Sequence, residues 1–208
     1  GVDPGASGGL CAIFPNGEIM LTPMPSTERD TWMWFKLLSY GSKLSHENMF
    51  ACIEQVSGYI GEEQPGSSAF KFGQSYGMLR AYLTACAIPF ESIPPQRWQK
   101  ELHVAPRKKG TKKERAKCTK CFGTGSNPSG SGVCKRCKGD GGVLVVVGGE
   151  TKSAFKNRLK QKAQELFPQV TNITLKTADA LLLAEYCRRV QRVQTGHVQT
   201  GVTAGTMV

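Results

Sequence analysis

Three acidic residues stand where an apolar chain does not ordinarily place them. Asp3 closes the first apolar segment in GVDPGASGG, Glu54 closes the strand-like part of MFACIEQV, and Asp179 opens the apolar run of KTADALLLAEY. An ionised carboxylate in an apolar element is costly unless it is paired or holds a metal. If the strands of Asp3 and Glu54 are neighbours, both acids lie at one end of a sheet. A buried helix crossing that end then brings Asp179 to them. Three carboxylates without compensating bases make a hard oxygen site, suited to Mg²⁺ or Mn²⁺ and unsuited to Zn²⁺. Two such ions about 3.5–4 Å apart activate a water and steady the leaving oxygen of a phosphodiester. The glycines and Pro4 leave the approach to Asp3 open to a backbone or a phosphate. Taken singly, each acid has a plainer role: Asp-Pro-Gly turn chemistry for Asp3, a strand end or an Arg partner for Glu54, and a favoured first helical turn for Asp179. Taken together, in this element order and in a basic chain, they point to the metal site.

A second constellation is sulfur-based. CTKCFGTG at 118–125 and CKRCKGDG at 134–141 are two copies of CxxCxGxG, with twelve residues between Cys121 and Cys134. Each knuckle turns two thiolates toward one point, so Cys118, Cys121, Cys134 and Cys137 complete a tetrahedral Zn²⁺ shell. The glycines permit positive-φ turns that aim backbone N–H groups at the sulfurs. A closed four-thiolate site leaves no open position, so its role is structural. The repeats resemble the zinc-binding units of DnaJ-type chaperones over a short stretch. The module either stabilises a long insertion or serves as a basic finger on DNA. Its cations, with Arg107, Lys108, Lys109, Lys112, Lys113, Lys135, Arg136 and Lys138 foremost, favour DNA, since phosphate neutralisation releases counterions without needing sequence.

The bulk numbers agree with a polyanion partner. The chain has 208 residues, a net charge of +11 and a pI near 9.4. Residues 107–120 hold eight Lys/Arg against one acid, Glu114, and residues 151–162 hold five, Lys152 and Lys156 among them, against none. Such local positive charge fits nucleic acid better than a uniformly basic surface does. The other four of the eight cysteines, Cys11, Cys52, Cys86 and Cys187, stand alone in apolar stretches. Reduced buried thiols plus one metal site in a reducing compartment fit this better than a disulfide framework. No run of 18 or more apolar residues occurs, so no membrane span is expected. No signal-peptide pattern is seen, and a few residues are expected to precede Gly1.

The elements that must position these groups alternate. GLCAIF and EIMLT flank Pro15-Asn16-Gly17 as a hairpin. A helix starts after Pro25-Ser26-Thr27 and runs to about Tyr40. A buried strand at 49–56 is followed by a loop at 57–66, a helix over 67–87 and a strand at 88–93 closed by Pro94-Pro95. Helical period returns at 152–167 and again from Lys176 to Arg192. The second of these is apolar on nearly all sides from Ala178 to Ala184 and should be buried. VLVVV at 143–147 adds a strand to the cysteine module. This order predicts an α/β fold, a mixed β-sheet flanked by helices, with a small zinc-binding insertion. The expected organisation is a catalytic domain of residues 1–102 and 151–192, an insertion at 103–150, and a loosely ordered tail at 193–208.

GVDPGASGG, CIEQV and TADALLLAEYCRR together resemble the RuvC-type Holliday-junction resolvases of the RNase H-like superfamily. PPQRWQKEL and KNRLKQKAQELFP match the style of bacteriophage and organellar members. The resemblance implies an RNase H-like sheet and a homodimer with the helix at 67–87 in its interface. It also implies paired nicks in four-way DNA junctions, with Asp3, Glu54 and Asp179 as catalytic metal ligands. It places the protein in the cytoplasm of a bacterial or phage-infected cell, or in an organelle, with branched DNA as partner and neither a membrane nor a small-molecule substrate. The family usually carries Asp or His three positions before the last Asp, where this chain has Lys176. A protonated Lys cannot ligate a metal, so Lys176 either contacts the scissile phosphate, replaces one cation's charge, or alters catalysis. Relatives often carry an aromatic wedge after the Glu54 strand. Here Tyr59 is the nearest aromatic, with Phe70 and Phe72 further on, and base stacking is its expected role. The alternatives are a nuclease for other branched DNA or RNA–DNA hybrid, a junction-binding protein without catalysis, and a module that binds unfolded protein.

Overall fold

The computed structural model describes residues 1–45, 48–56, 66–129 and 132–199. The chain forms two compact units, one of residues 1–106 and 156–208, the other of residues 107–155. In the first unit, β1 (Val2–Asp3), β2 (Gly9–Ile13) and β3 (Ile19–Pro23) are joined by tight turns. Asn16 Oδ1 accepts the Glu18 N–H, and Gly17 takes φ 86° in the turn read from Pro15-Asn16-Gly17. There follow α1 (Glu28–Ser45), β4 (Ala51–Glu54), α2 (Gly66–Ala85) and β5 (Phe90–Ile93). Thr27 caps α1: its hydroxyl oxygen accepts the Asp30 N–H at 3.0 Å. The helix runs past Tyr40, the end expected from its period.

The five strands lie in the order β3-β2-β1-β4-β5. β2 runs antiparallel to both neighbours, whereas β1, β4 and β5 are mutually parallel. One face carries Val2, Leu10 and Ile53, packed with Phe35 of α1 and with Leu79 and Leu83 of α2. On α2 the expected face is seen, with Leu79 and Leu83 buried and Tyr76 hydrogen-bonded to Ser92 at 3.0 Å. The other face is crossed by α5 (Ala178–Gln199), which packs on β1, β2 and β4. Ala178 through Ala184 are all 5% exposed or less, so the helix is buried as its composition requires. It ends at Gln199, and residues 200–208 of the expected tail lie outside the described residues. Among the described residues no helix is long and apolar enough to cross a membrane.

Two elements escape the sequence pattern. α3 (Pro95–Glu101) begins on a proline at its first turn, where the missing N–H costs nothing. Its Trp98 is fully buried. In the second unit, β6 (Lys112–Lys117) pairs antiparallel with β7 (Gly142–Val147). β6 reads KKERAK, a basic run with no apolar alternation, so only its partner betrays it as a strand. Finally α4 (Lys152–Leu166) follows a Thr151 cap, whose Oγ1 accepts the Ala154 N–H. Leu159, Ala163 and Phe167 on its expected face are buried. All eight cysteines are free and buried.

Candidate functional site: a carboxylate cluster and a four-thiol centre

The register explains how two of the acids meet. Val2 is opposite Ile53 in the parallel β1–β4 pair, and both face the α1–α2 core. Side chains alternate along a strand. Asp3 and Glu54, one residue on, therefore share the opposite face at the carboxyl ends of their strands. That is the face covered by α5, whose first turn holds Asp179. The turn after β1 is built for close approach. A Cβ at Gly8 would sit 2.1 Å from the Asp3 carbonyl oxygen, and one at Gly9 would sit 2.9 Å from the Lys176 carbonyl oxygen. Glycine there lets the start of α5 settle against β2 and brings Asp179 over the sheet end.

The electrostatics record this convergence. Asp3 and Asp179 are 7% and 5% exposed. Burial, then the charges of Asp179 and Glu54, push the Asp3 carboxyl well above the ordinary range. Burial and Asp179 push Glu54 up to about 7, against the opposing pull of Trp98 and Lys156. The Trp98 indole N–H donates to Glu54 Oε2 at 3.0 Å. Burial also raises Asp179, although Lys156 of α4 donates to its Oδ2. Burial disfavours the charge on Lys156, but the acids outweigh it and raise its pKa. Asp179 Oδ1 is buried with no hydrogen-bond partner among the described residues.

Lys156 and Trp98 are thus the site residues that the acid motifs do not reveal. Lys156 stands at i−3 and i−7 from the buried Leu159 and Ala163, a cation on an apolar helix face, and that was its signal. Trp98 carried a weaker one: a buried indole N–H needs an acceptor. Lys176 is exposed, and its backbone rather than its side chain is what packs near the cluster. Tyr59 lies outside the described residues. Phe70 is 73% exposed on α2, whereas Phe72 is partly buried, its ring close to Gly5.

The carboxylates fit a hard cation in donor type, in their mutual repulsion and in the unsatisfied Asp179 oxygen. They do not form a closed shell. Among the described residues, the group of three or more metal-capable side chains with all ligand atoms within 4.8 Å of one another is Cys118, Cys121, Cys134 and Cys137. Mg²⁺ does not need such a shell, because it retains several waters and takes one or two carboxylates.

The thiols form a shell on their own. Cys118 and Cys134 sulfurs are 3.9 Å apart, Cys121 and Cys137 sulfurs 3.5 Å. Four sulfurs at ~2.3 Å from one tetrahedral metal lie about 3.8 Å from each other. The two knuckles are related by an internal two-fold pattern. The Cys118 N–H donates to the Gly141 carbonyl and the Cys134 N–H to the Gly125 carbonyl, both at 2.8 Å. A Cβ at Gly125 would meet the Gly139 carbonyl oxygen at 2.3 Å, and one at Gly141 the Gly123 carbonyl oxygen at 2.4 Å. The second glycine of each CxxCxGxG is therefore obligatory. The Cys134 thiol is held below its ordinary range, chiefly by the backbone N–H of Cys137. Around this centre Lys109, Lys112, Lys113, Lys135 and Lys138 are exposed. Lys152 is exposed on α4 and Lys156 is half-buried there. The Arg107 guanidinium donates to the Glu150 carbonyl, the Lys108 N–H donates to the Glu150 carboxylate, and Arg136 donates to Thr119 Oγ1.

The strand order and the single reversed strand give the first unit an RNase H-like α/β fold, and the second unit carries the four-cysteine group. No family model matches the chain, and no curated protein matches it. Among solved structures it is similar to Thermus thermophilus RuvC, with 12% identity and a TM-score of 0.45 over 94% of this chain and 95% of that one. It is similar to the same degree to T. thermophilus RuvC in complex with Holliday junction substrate, over 94% of each chain.

Proposed function

We propose that the chain is a metal-dependent, structure-selective endonuclease that resolves four-way DNA junctions as a homodimer. The observation that carries this is the convergence of Asp3, Glu54 and Asp179, whose raised pKa values Lys156 and the Trp98 hydrogen bond to Glu54 only partly offset among the described residues. These three carboxylates would hold Mg²⁺ or Mn²⁺, which when bound would supply Lewis-acid activation of water and charge stabilisation at the phosphorus. Lys156 orients Asp179, and Trp98 holds one oxygen of Glu54 so that the other faces the site. Lys176, exposed at the approach to α5, contacts the scissile phosphate. Tyr59 stacks on junction bases. Zn²⁺ in the four thiolates holds the second unit together. Arg107, Lys108, Lys109, Lys112, Lys113, Lys135, Arg136, Lys138 and Lys152 neutralise phosphates.

Dimerisation has support in α2. Gly73 and Gly77 lie one turn apart on its exposed side, and a Cβ at either would meet nothing within 4 Å. A mid-helix glycine costs about 1 kcal/mol relative to Ala. Among the described residues, packing within the protomer does not account for either one, whereas a second copy lying backbone to backbone would. Phe70, on the same helix, is exposed. Gly77→Leu should convert a sedimenting dimer to monomer, and a wild-type chain that sediments as monomer removes this part of the proposal.

The deciding test is cleavage of immobile and branch-migrating four-way junctions with Mg²⁺, Mn²⁺ or EDTA. Wild type should make symmetric, metal-dependent nicks, and Asp3→Asn should lose at least about a thousandfold in rate, as expected when transition-state charge loses its stabilisation. A second reading, a junction-binding protein without catalysis, is favoured by the pairing of Lys156 with Asp179. Tight junction binding with no cleavage under any metal selects it. Preferential cutting of RNA–DNA hybrid selects a related nuclease instead.

A further inference from the structure

The second unit carries an exposed aromatic that its metal centre does not use. Phe122 follows the second cysteine of the first knuckle and is 72% exposed. It takes no part in the buried cluster, which consists of the four cysteines with Val143 packed against them. Its counterpart in the second knuckle is Lys138, and both adopt φ 52°. The knuckle geometry therefore fixes the backbone at this position in either repeat and turns the side chain to solvent. One copy fills the position with a ring, the other with a cation.

Phe122 has cationic surroundings within the same unit. In the β6–β7 register Arg115 is opposite Leu144, so Lys113, Arg115 and Lys117 share one ribbon face with Leu144, itself 71% exposed. The aliphatic stem of Lys117 lies against Gly123, the residue after Phe122: a Cβ there would be 2.6 Å from its Cε. The ribbon face thus runs into the knuckle that displays the ring. Arg115 is paired with Asp140. Among the described residues Lys113, Lys117, Lys120 and Lys138 have no carboxylate partner.

We infer that Phe122 and the Lys113–Lys117 face form a binding site for unpaired, single-stranded DNA, with the ring stacking on a base and the lysines on its phosphates. Every base presents a π-face, and sequence-independent binders combine such aromatic platforms with a positive track along the backbone. An apolar peptide would use the ring but would gain nothing from the unpaired lysines, and their charge decides for the polyanion. The inference rests on the proposal that this unit contacts DNA, and goes beyond it by assigning base recognition to one ring.

The test uses the full, metal-loaded chain and a short oligothymidylate with one 5-iododeoxyuridine, irradiated and mapped by peptide mass spectrometry. The cross-link should fall on Phe122. In titrations Phe122→Ala should weaken oligothymidylate binding about tenfold without changing the salt slope, and Phe122→Trp should restore it. Lys117→Ala should lower that slope by about 0.7. Unchanged metal content in each variant shows that the knuckles stay folded. Cross-links confined to other residues, or wild-type affinity in Phe122→Ala, overturn the inference. If Lys135→Ala, Arg136→Ala and Lys138→Ala together weaken junction binding while Phe122→Ala does not, stacking fails and the unit's DNA role stands. If neither set alters binding to any DNA, both fail. Loss in Phe122→Ala confined to capture of reduced, carboxymethylated lactalbumin identifies a peptide-binding face and also overturns the inference.

Discussion

The two metal-capable sites solve opposite problems. The thiol centre draws its four ligands from one short segment, Cys118 to Cys137, and closes them to within 4.8 Å by backbone turns repeated about an internal two-fold pattern. The carboxylate cluster draws Asp3, Glu54, Asp179 and Lys156 from β1, β4, α5 and α4, and leaves its acids repelling one another in a buried place. In the first, a metal held by the four thiols would couple its binding to the folding of the segment. In the second, the sheet and α5 form regardless, and the site is a local cost that the surrounding core outweighs. The thiol group is closed upon itself, whereas the carboxylate cluster keeps a buried oxygen, Asp179 Oδ1, without a hydrogen-bond partner among the described residues.

The contrast predicts its largest effect in the second unit. Removing one thiolate, as in Cys134→Ser, should abolish metal binding and unfold residues 107–155, since a structural Zn²⁺ site supplies about 10–16 kcal/mol. Limited proteolysis should then cut within that unit while the first unit keeps its melting temperature. A Cys134→Ser protein whose ribbon amides stay protected from exchange would break the comparison. Next in size is Glu54→Gln in EDTA. Glu54 is raised to about 7 in the fold, from an ordinary value near 4.5 when unfolded. Between those values the folded state binds the extra proton, so metal-free stability should fall as pH rises through this window. The substitution should therefore stabilise the protein by up to about 3 kcal/mol at pH 8 and by nothing at pH 4. Denaturant titrations at the two pH values measure this, and a destabilised Glu54→Gln at pH 8 would show the acid to be structural.

The same contrast explains what could be read from the sequence. The cysteine spacing is local, so CxxCxGxG alone indicates the ligand set and the need for Gly125 and Gly141. The acids were visible because each interrupts an apolar element, and α5 because it is apolar all round. Their meeting depends on which strands are neighbours, and the Val2–Ile53 register supplies that. Lys156 was legible as a cation but not as the partner of Asp179, because nothing in a helical repeat names the element it faces. β6 was hidden for another reason. A ribbon of two strands with most of its β6 residues exposed needs no apolar alternation, so KKERAK carries charge and no strand period. α3 was masked by the pair of prolines that also ends β5, and with it Trp98.

Trp98 offers the finest test of the difference between the sites. If the cluster were merely a strained patch of core, Trp98 would matter for packing alone, as one of the largest fully buried side chains. The indole N–H bond to Glu54 Oε2 adds an interaction that strengthens when the carboxylate ionises. Trp98→Phe keeps much of the ring and removes the donor. Its packing cost should be present at every pH. Its hydrogen-bond cost should be present throughout and grow by about 1 kcal/mol above the Glu54 pKa of about 7, where the acceptor is charged. In the Glu54→Gln background the pH-dependent part should vanish, because an amide oxygen accepts the same N–H at any pH. A double-mutant cycle at pH 5 and pH 8 in EDTA isolates that part. Equal coupling at the two pH values would mean that Trp98 does not sense the charge on Glu54, and that the acid cluster is held by packing instead of by directed hydrogen bonds.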